Sequence, residues 1–180
     1  MFVRDATLLR HLLAMKTALE PGQKIIYAVG VIVLTSQDVE QHLKFLVPFM
    51  NSDDPETTSI LARHARLAKR SLGDVSGQFV GSMSGDVKAL ECLVRQIVEE
   101  RNEIVHHFQD RFGDLIQKGR CEEVLDALRG HHGRALDLLR VLREMSLAVA
   151  EAMRDGIFSG TPEQGDIALL CEKARASLAS

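Results

Sequence analysis

The chain of 180 residues has no tryptophan and a single tyrosine, Tyr27, and aromatic residues make up only 4% of it. Strands draw heavily on aromatic and β-branched side chains, so this scarcity speaks for helices. Cysteines number three, Cys92, Cys121 and Cys171. An odd, widely spaced set forms neither a disulfide framework nor a zinc pattern, and it fits reduced thiols packed mostly as small hydrophobes in a cytoplasmic protein. No long hydrophobic run is present. The longest, Ile25 to Leu34, is about half of what a membrane span requires, and it reads as a buried helix segment. Met1 to Asp5 carries charge and opens no signal-peptide apolar region. Basic residues are not in excess. The net charge of −3 excludes a global cationic footprint, so any nucleic-acid contact has to be local.

What is present is ordinary for a soluble globular chain: 46% hydrophobic and 26% charged residues, enough for one domain with a real core. Leu8, Leu9, Leu12, Leu13, Met15 and Leu19 recur at helical spacing and predict a helix over 5–20, ended by Pro21-Gly22. A second, mostly buried helix follows over 23–46, toward Pro48. Asn51 to Thr58 reads as a polar loop, and 56–70 as a shorter helix with basic side chains. Residues 71–85, with Gly73, Gly77, Gly81 and Gly85, read as an irregular loop partly tucked in by Val75, Phe79 and Val80. A long helix is expected from Asp86 to Phe108 or Phe112, then a connection over Gly113 to Arg120. Another long helix over 121–155 carries a weak point at Gly130-His131-His132-Gly133. Gly156 to Gly165 is a linker, and 166–178 is a short terminal helix. The expected fold class is all-α, a four-to-five-helix up-down bundle. Residues 1–160 form a single domain in this reading, and 161–180 a C-terminal linker and short helix.

One stretch stands out chemically: Glu99-Glu100-Arg101-Asn102-Glu103-Ile104-Val105-His106-His107-Phe108. Arginine binds phosphate and histidine moves protons near neutral pH, the minimum needed to cleave RNA without a metal. At about 100° per residue, Val87, Leu90, Val94, Ile97, Val98, Ile104, Val105 and Phe108 form an apolar stripe with Arg101 near its middle. An arginine in a core seam is costly unless paired. Asn102 and His106 are i and i+4 and share a face. His106 lies about 140° around the helix from Arg101, which favours a cleft completed by a second copy across a two-fold axis.

Arg101-Asn102-Glu103-Ile104-Val105-His106 resembles the signature of HEPN domains, helical domains whose motif is an Arg, four to six residues, then a His, commonly with a polar residue after the Arg. The resemblance covers the motif closely and the helical layout over 5–155 loosely. It implies a metal-independent endoribonuclease without a cofactor, acting as a homodimer in a toxin–antitoxin, antiphage or stress system. Its partners would be RNA and an antitoxin or neighbouring regulatory protein. Carried over, His106 is the general acid or base, Arg101 stabilises the pentacoordinate phosphate, and Asn102 orients His106 or the phosphate. The expected product end is a cyclic phosphate. The family also holds inactive members that bind nucleotides or partners.

Plainer readings stand beside this one. Arg101 can be a buried arginine paired to Asp38 or Glu40, and His106 a surface histidine at a helix end. Asp38, Glu40 and His42 either back the motif or form their helix's solvent side. Glu103 and His107 can be a surface pair. Arg63, Arg66 and Arg70, flanked by His64 and Lys69, make the best basic patch, for RNA backbone or as a solvated face. His131-His132 and His106-His107 lack partners at ligand spacing, so no metal is expected. The alternative function is a non-catalytic helical interaction or nucleotide-binding module.

Overall fold

Apolar residues at helical spacing, with few strand-forming aromatics, give helices without strands among the described residues of a computed structural model, which are 19–50, 57–83, 85 and 87–178. The expected helix over 5–20 lies outside the described residues except at its last two positions, as does most of the 51–58 loop. Among the described residues there are seven helices: α1 Pro21–Leu46, α2 Thr57–Leu67, α3 Leu72–Gly81, α4 Lys88–His106, α5 Phe108–Gln117, α6 Cys121–Asp155 and α7 Gln164–Leu178. A 3-10 turn, Val47–Phe49, closes α1.

Pro21 opens α1 rather than only ending what precedes it. Its missing N–H costs nothing at a first helical position, and the Glu20 N–H donates to the Gln23 side-chain oxygen at 3.0 Å. Within the expected loop over 71–85, residues 72–81 are a helix. Leu72, Val75, Ser76 and Phe79 bury one face of α3, and the Ser71 hydroxyl accepts from the Asp74 N–H at 3.3 Å as its N-cap. The inward spacing outweighs the cost of three glycines. The long helix after it stops at His106. His107 takes φ −128°, ψ 19°, and a new helix starts at Phe108, so most of the expected connection over 113–120 is helical. The elbow turns Phe112 into the core, with Phe108 packed partly buried against the same cluster. Gly119, at φ +73°, ends α5, with the Arg120 N–H reaching the Leu115 carbonyl at 2.8 Å. The Gly130–Gly133 weak point does not break α6, which is one helix of 35 residues.

Two clusters form the core. Val39, Leu43 and Leu46 of α1 meet Val94 and Ile97 of α4 and Ala135 to Leu142 of α6, with Val75 and Phe79 of α3. Ile25 and Ile32 meet Ile104, Phe112, Val124, Leu125 and Leu128. The pairing makes α1 and α6 parallel and α4 antiparallel to both. The C-terminal end of α4 therefore sits against the start of α1. α7 folds back along the end of α6 with Cys171 buried and Arg175 paired to Glu151. Cys92 is exposed and Cys121 half-buried, so only one of the three thiols is packed inside. No described helix is long and apolar enough to cross a membrane.

Candidate functional site around the end of α4

Arg101, Asn102 and His106 occupy the last two turns of α4, just before the elbow at His107. Val94, Ile97 and Ile104 are the buried members of the apolar stripe, whereas Val105 is 41% exposed. Arg101 is half-buried at the edge of this seam rather than sealed within it. Its guanidinium donates sideways to Asn102 Oδ1 at 3.1 Å. Among the described residues no carboxylate lies in ion-pair range of it.

Of the expected structural partners, Glu40 is engaged elsewhere. Glu40 holds Lys44 at 2.6 Å, and Lys44 Nζ also donates to the Ala68 carbonyl at 3.1 Å. His42 faces α6 with Nδ1 2.9 Å from Ser146 Oγ. Burial first and Arg143 second lower the His42 pKa, and Asp38 opposes them.

Asn102 and His106 are exposed on one face of α4. The His106 ring lies edge-on to that of His107, with centroids 6.4 Å apart. No hydrogen bond links Arg101 to His106, as their separation around the helix of about 140° implies. One chain thus presents an Arg–Asn pair and a histidine on neighbouring but divergent faces. Glu103 and His107 do not form the simple pair their spacing allows: His107 Nδ1 is 3.6 Å from Asp110, and Glu103 is 3.9 Å from Arg111.

A charged cluster that sequence reading missed lies on the other side of the same turn. Glu100 Oε1 accepts from Arg134 of α6 at 2.5 Å and from Gln96 at 2.8 Å. Glu100 Oε2, Arg134 Nε and His131 Nδ1 are buried there without a hydrogen-bond partner among the described residues. Burial lowers the His131 pKa. Glu100 and Glu103 oppose the shift, and Arg134 and Arg111 reinforce it. A buried pair of this kind fixes register between helices and punishes loss of either member. The signal available in the sequence was Glu100 four residues from Gln96 and three from Glu103, but nothing in it named Arg134 as the partner.

The basic patch is only partly what its spacing suggests. Arg63 turns inward and donates from Nε to the Pro48 carbonyl at 3.1 Å. Arg66 is exposed, and Arg70 lies beyond the end of α2, so the three do not share one helix face. Among the described residues no group of three or more His, Cys, Asp or Glu side chains is placed to hold a metal ion. Comparison with protein-family models, with curated proteins and with solved structures gave no match.

Proposed function

We propose that this chain is a metal-independent endoribonuclease of the HEPN type, with an up-down helical bundle that presents Arg101, Asn102 and His106. The observation that carries the reading is Arg101 itself. It is a half-buried arginine at the end of α4, answered only by an amide oxygen and left without a carboxylate among the described residues. A structural arginine at that depth would be expected to carry a counter-ion, as Arg134 does. A cation held this way is available to a phosphate, the more so because its fork binds phosphate oxygens in pairs.

In the proposed reaction His106 accepts the proton of a ribose 2′-hydroxyl. The 2′-oxygen bonds to phosphorus, the bond from phosphorus to the 5′-oxygen breaks, and a proton goes to the leaving oxygen. The products are a cyclic phosphate and a free 5′-hydroxyl. Arg101 stabilises the extra charge on the phosphate oxygens, and Asn102 fixes the guanidinium. A single His106 has one proton site to offer at a time. The divergence of Arg101 and His106 around α4 therefore favours a homodimer, with the partner's His106 completing the cleft. The setting is a toxin–antitoxin, antiphage or stress system, with a regulatory protein that holds the activity in check. The test is RNA cleavage in excess EDTA by wild type, Arg101→Ala and His106→Ala proteins; equal cleavage by all three contradicts the assignment.

The second reading is a non-catalytic interaction module. The observation in its favour is the apolar exposure on α1, where Ile26 is 74% and Leu34 46% exposed. In that reading the motif helix serves assembly, and no variant at Arg101 or His106 changes RNA turnover.

A further inference from the structure

We infer that the end of α2 and the groove between α3 and α4 form a track that delivers a single RNA strand to Arg101, Asn102 and His106. The inference rests on the ribonuclease reading and names how its substrate is held.

From Thr57 to Gly73 the sequence has no acidic residue. Arg66, Lys69 and Arg70 are exposed there, and among the described residues none pairs with a carboxylate. Arg66 reaches only the Ala62 carbonyl of its own helix. This is a local cationic patch on an otherwise acidic chain, the footprint a polyanion needs. Its position matters more than its charge. Arg70 directly precedes Ser71, the cap of α3, and a Cβ on Gly73 would lie 3.8 Å from Val98 Cγ1 of α4. The start of α3 thus packs on α4 one turn before Asn102, with Arg70 three residues ahead of that contact.

Between α3 and α4 lies an open groove of about 400 Å³. Val94, Val98 and Val80 give it apolar walls, and beyond its chain neighbours and its own helix backbone nothing lies within 4 Å of where a Gly77 Cβ would stand. Val98, Asn102 and His106 follow one another at i, i+4, i+8, so the groove's α4 wall continues onto the motif face. Val98 and His106 are about 12 Å apart along the axis. Arg95 in this wall is held by Glu91 at 2.6 Å and Glu99 adds a second carboxylate, so the groove itself supplies no net positive charge. Phosphate attraction therefore comes from Arg66, Lys69 and Arg70 at one end and Arg101 at the other. Apolar walls between them suit unstacked bases, which a single strand offers and a duplex does not.

The test uses the full chain carrying His106→Ala, so that bound RNA survives, and a fluorescein-labelled oligouridine about 12 nucleotides long, read by anisotropy. Adding Lys69→Ala and Arg70→Ala should weaken binding about 25-fold at 0.1 M salt and lower the slope of log affinity against log salt by about 1.4. Gly77→Leu fills the groove and favours helix, so it should weaken binding with helical content kept. Unchanged binding by either variant, no binding by the parent, or equal binding of a duplex overturns the track. If the track variants lose binding while wild type cleaves no RNA, the track stands and the ribonuclease reading falls. If wild type cleaves and the track variants bind and cleave as it does, the reading stands and the track falls.

Discussion

Glu100 and Arg101 are neighbours in the chain and opposites in the fold. Glu100 points at α6 and is met there by Arg134 at 2.5 Å, with Gln96 adding a second bond. Arg101 points about 100° away, at the edge of the core, and its one side-chain hydrogen bond among the described residues is to Asn102. Both are charged groups partly withdrawn from water. One is answered by an opposite charge on another helix, and among the described residues the other is not. The contrast separates a charge that holds the bundle together from a charge the bundle holds out. Spacing along α4 does not distinguish the two, because the answering group comes from a helix more than thirty positions away.

The largest effect is expected in catalysis: His106→Ala should slow RNA cleavage roughly 10²–10⁴-fold, the usual contribution of a general acid or base, measured in EDTA against wild type. Next is the ion pair. Arg134→Ala leaves the Glu100 carboxylate without its cation and should cost about 2 kcal/mol in chemical denaturation, discounted from the ~3–5 of a fully buried pair because Arg134 is 34% exposed. Arg101→Ala should change stability by less than about 1 kcal/mol while slowing cleavage roughly 10²–10³-fold. A large loss of stability there would return Arg101 to a structural role.

A smaller effect concerns pH. His131 and His42 both have pKa values lowered in the fold, mainly by burial, so the unfolded chain binds protons more readily than the native one. Their contribution is present above the ordinary histidine value of about 6.5 and is lost as pH falls below it. Thermal melts from pH 7.5 down to 5 should show falling stability, and His131→Gln should flatten part of that slope. A slope unchanged by His131→Gln and His42→Gln together would remove both histidines from the account.

The sequence displays some of this and conceals the rest for physical reasons. Helices α1, α4 and α6 are legible because their apolar residues repeat at helical spacing over many turns. The α3 helix is hidden by its glycines, whose weak propensity is overridden only when Leu72, Val75 and Phe79 find a core to enter. The elbow at His107 has no proline or glycine to announce it and follows from the burial of Phe112 against Ile25 and Ile104. Arg101 is legible as an oddity in an apolar stripe. That Glu40 pairs instead with Lys44, one turn on in its own helix, is a local i to i+4 choice that spacing permits but does not dictate. His131 looks like part of a weak point and is instead packed beside Glu100, because α6 runs through Gly130 and Gly133 without interruption.

The most direct measurement is a paired one on three purified proteins, wild type, Arg101→Ala and His106→Ala: denaturant stability, and cleavage of mixed cellular RNA in excess EDTA. Three nearly equal stabilities are expected, with cleavage by wild type to cyclic phosphate ends and cleavage slowed at least about 10²-fold in either variant. Equal cleavage by all three, or an Arg101→Ala protein that fails to fold while His106→Ala cleaves normally, would contradict it.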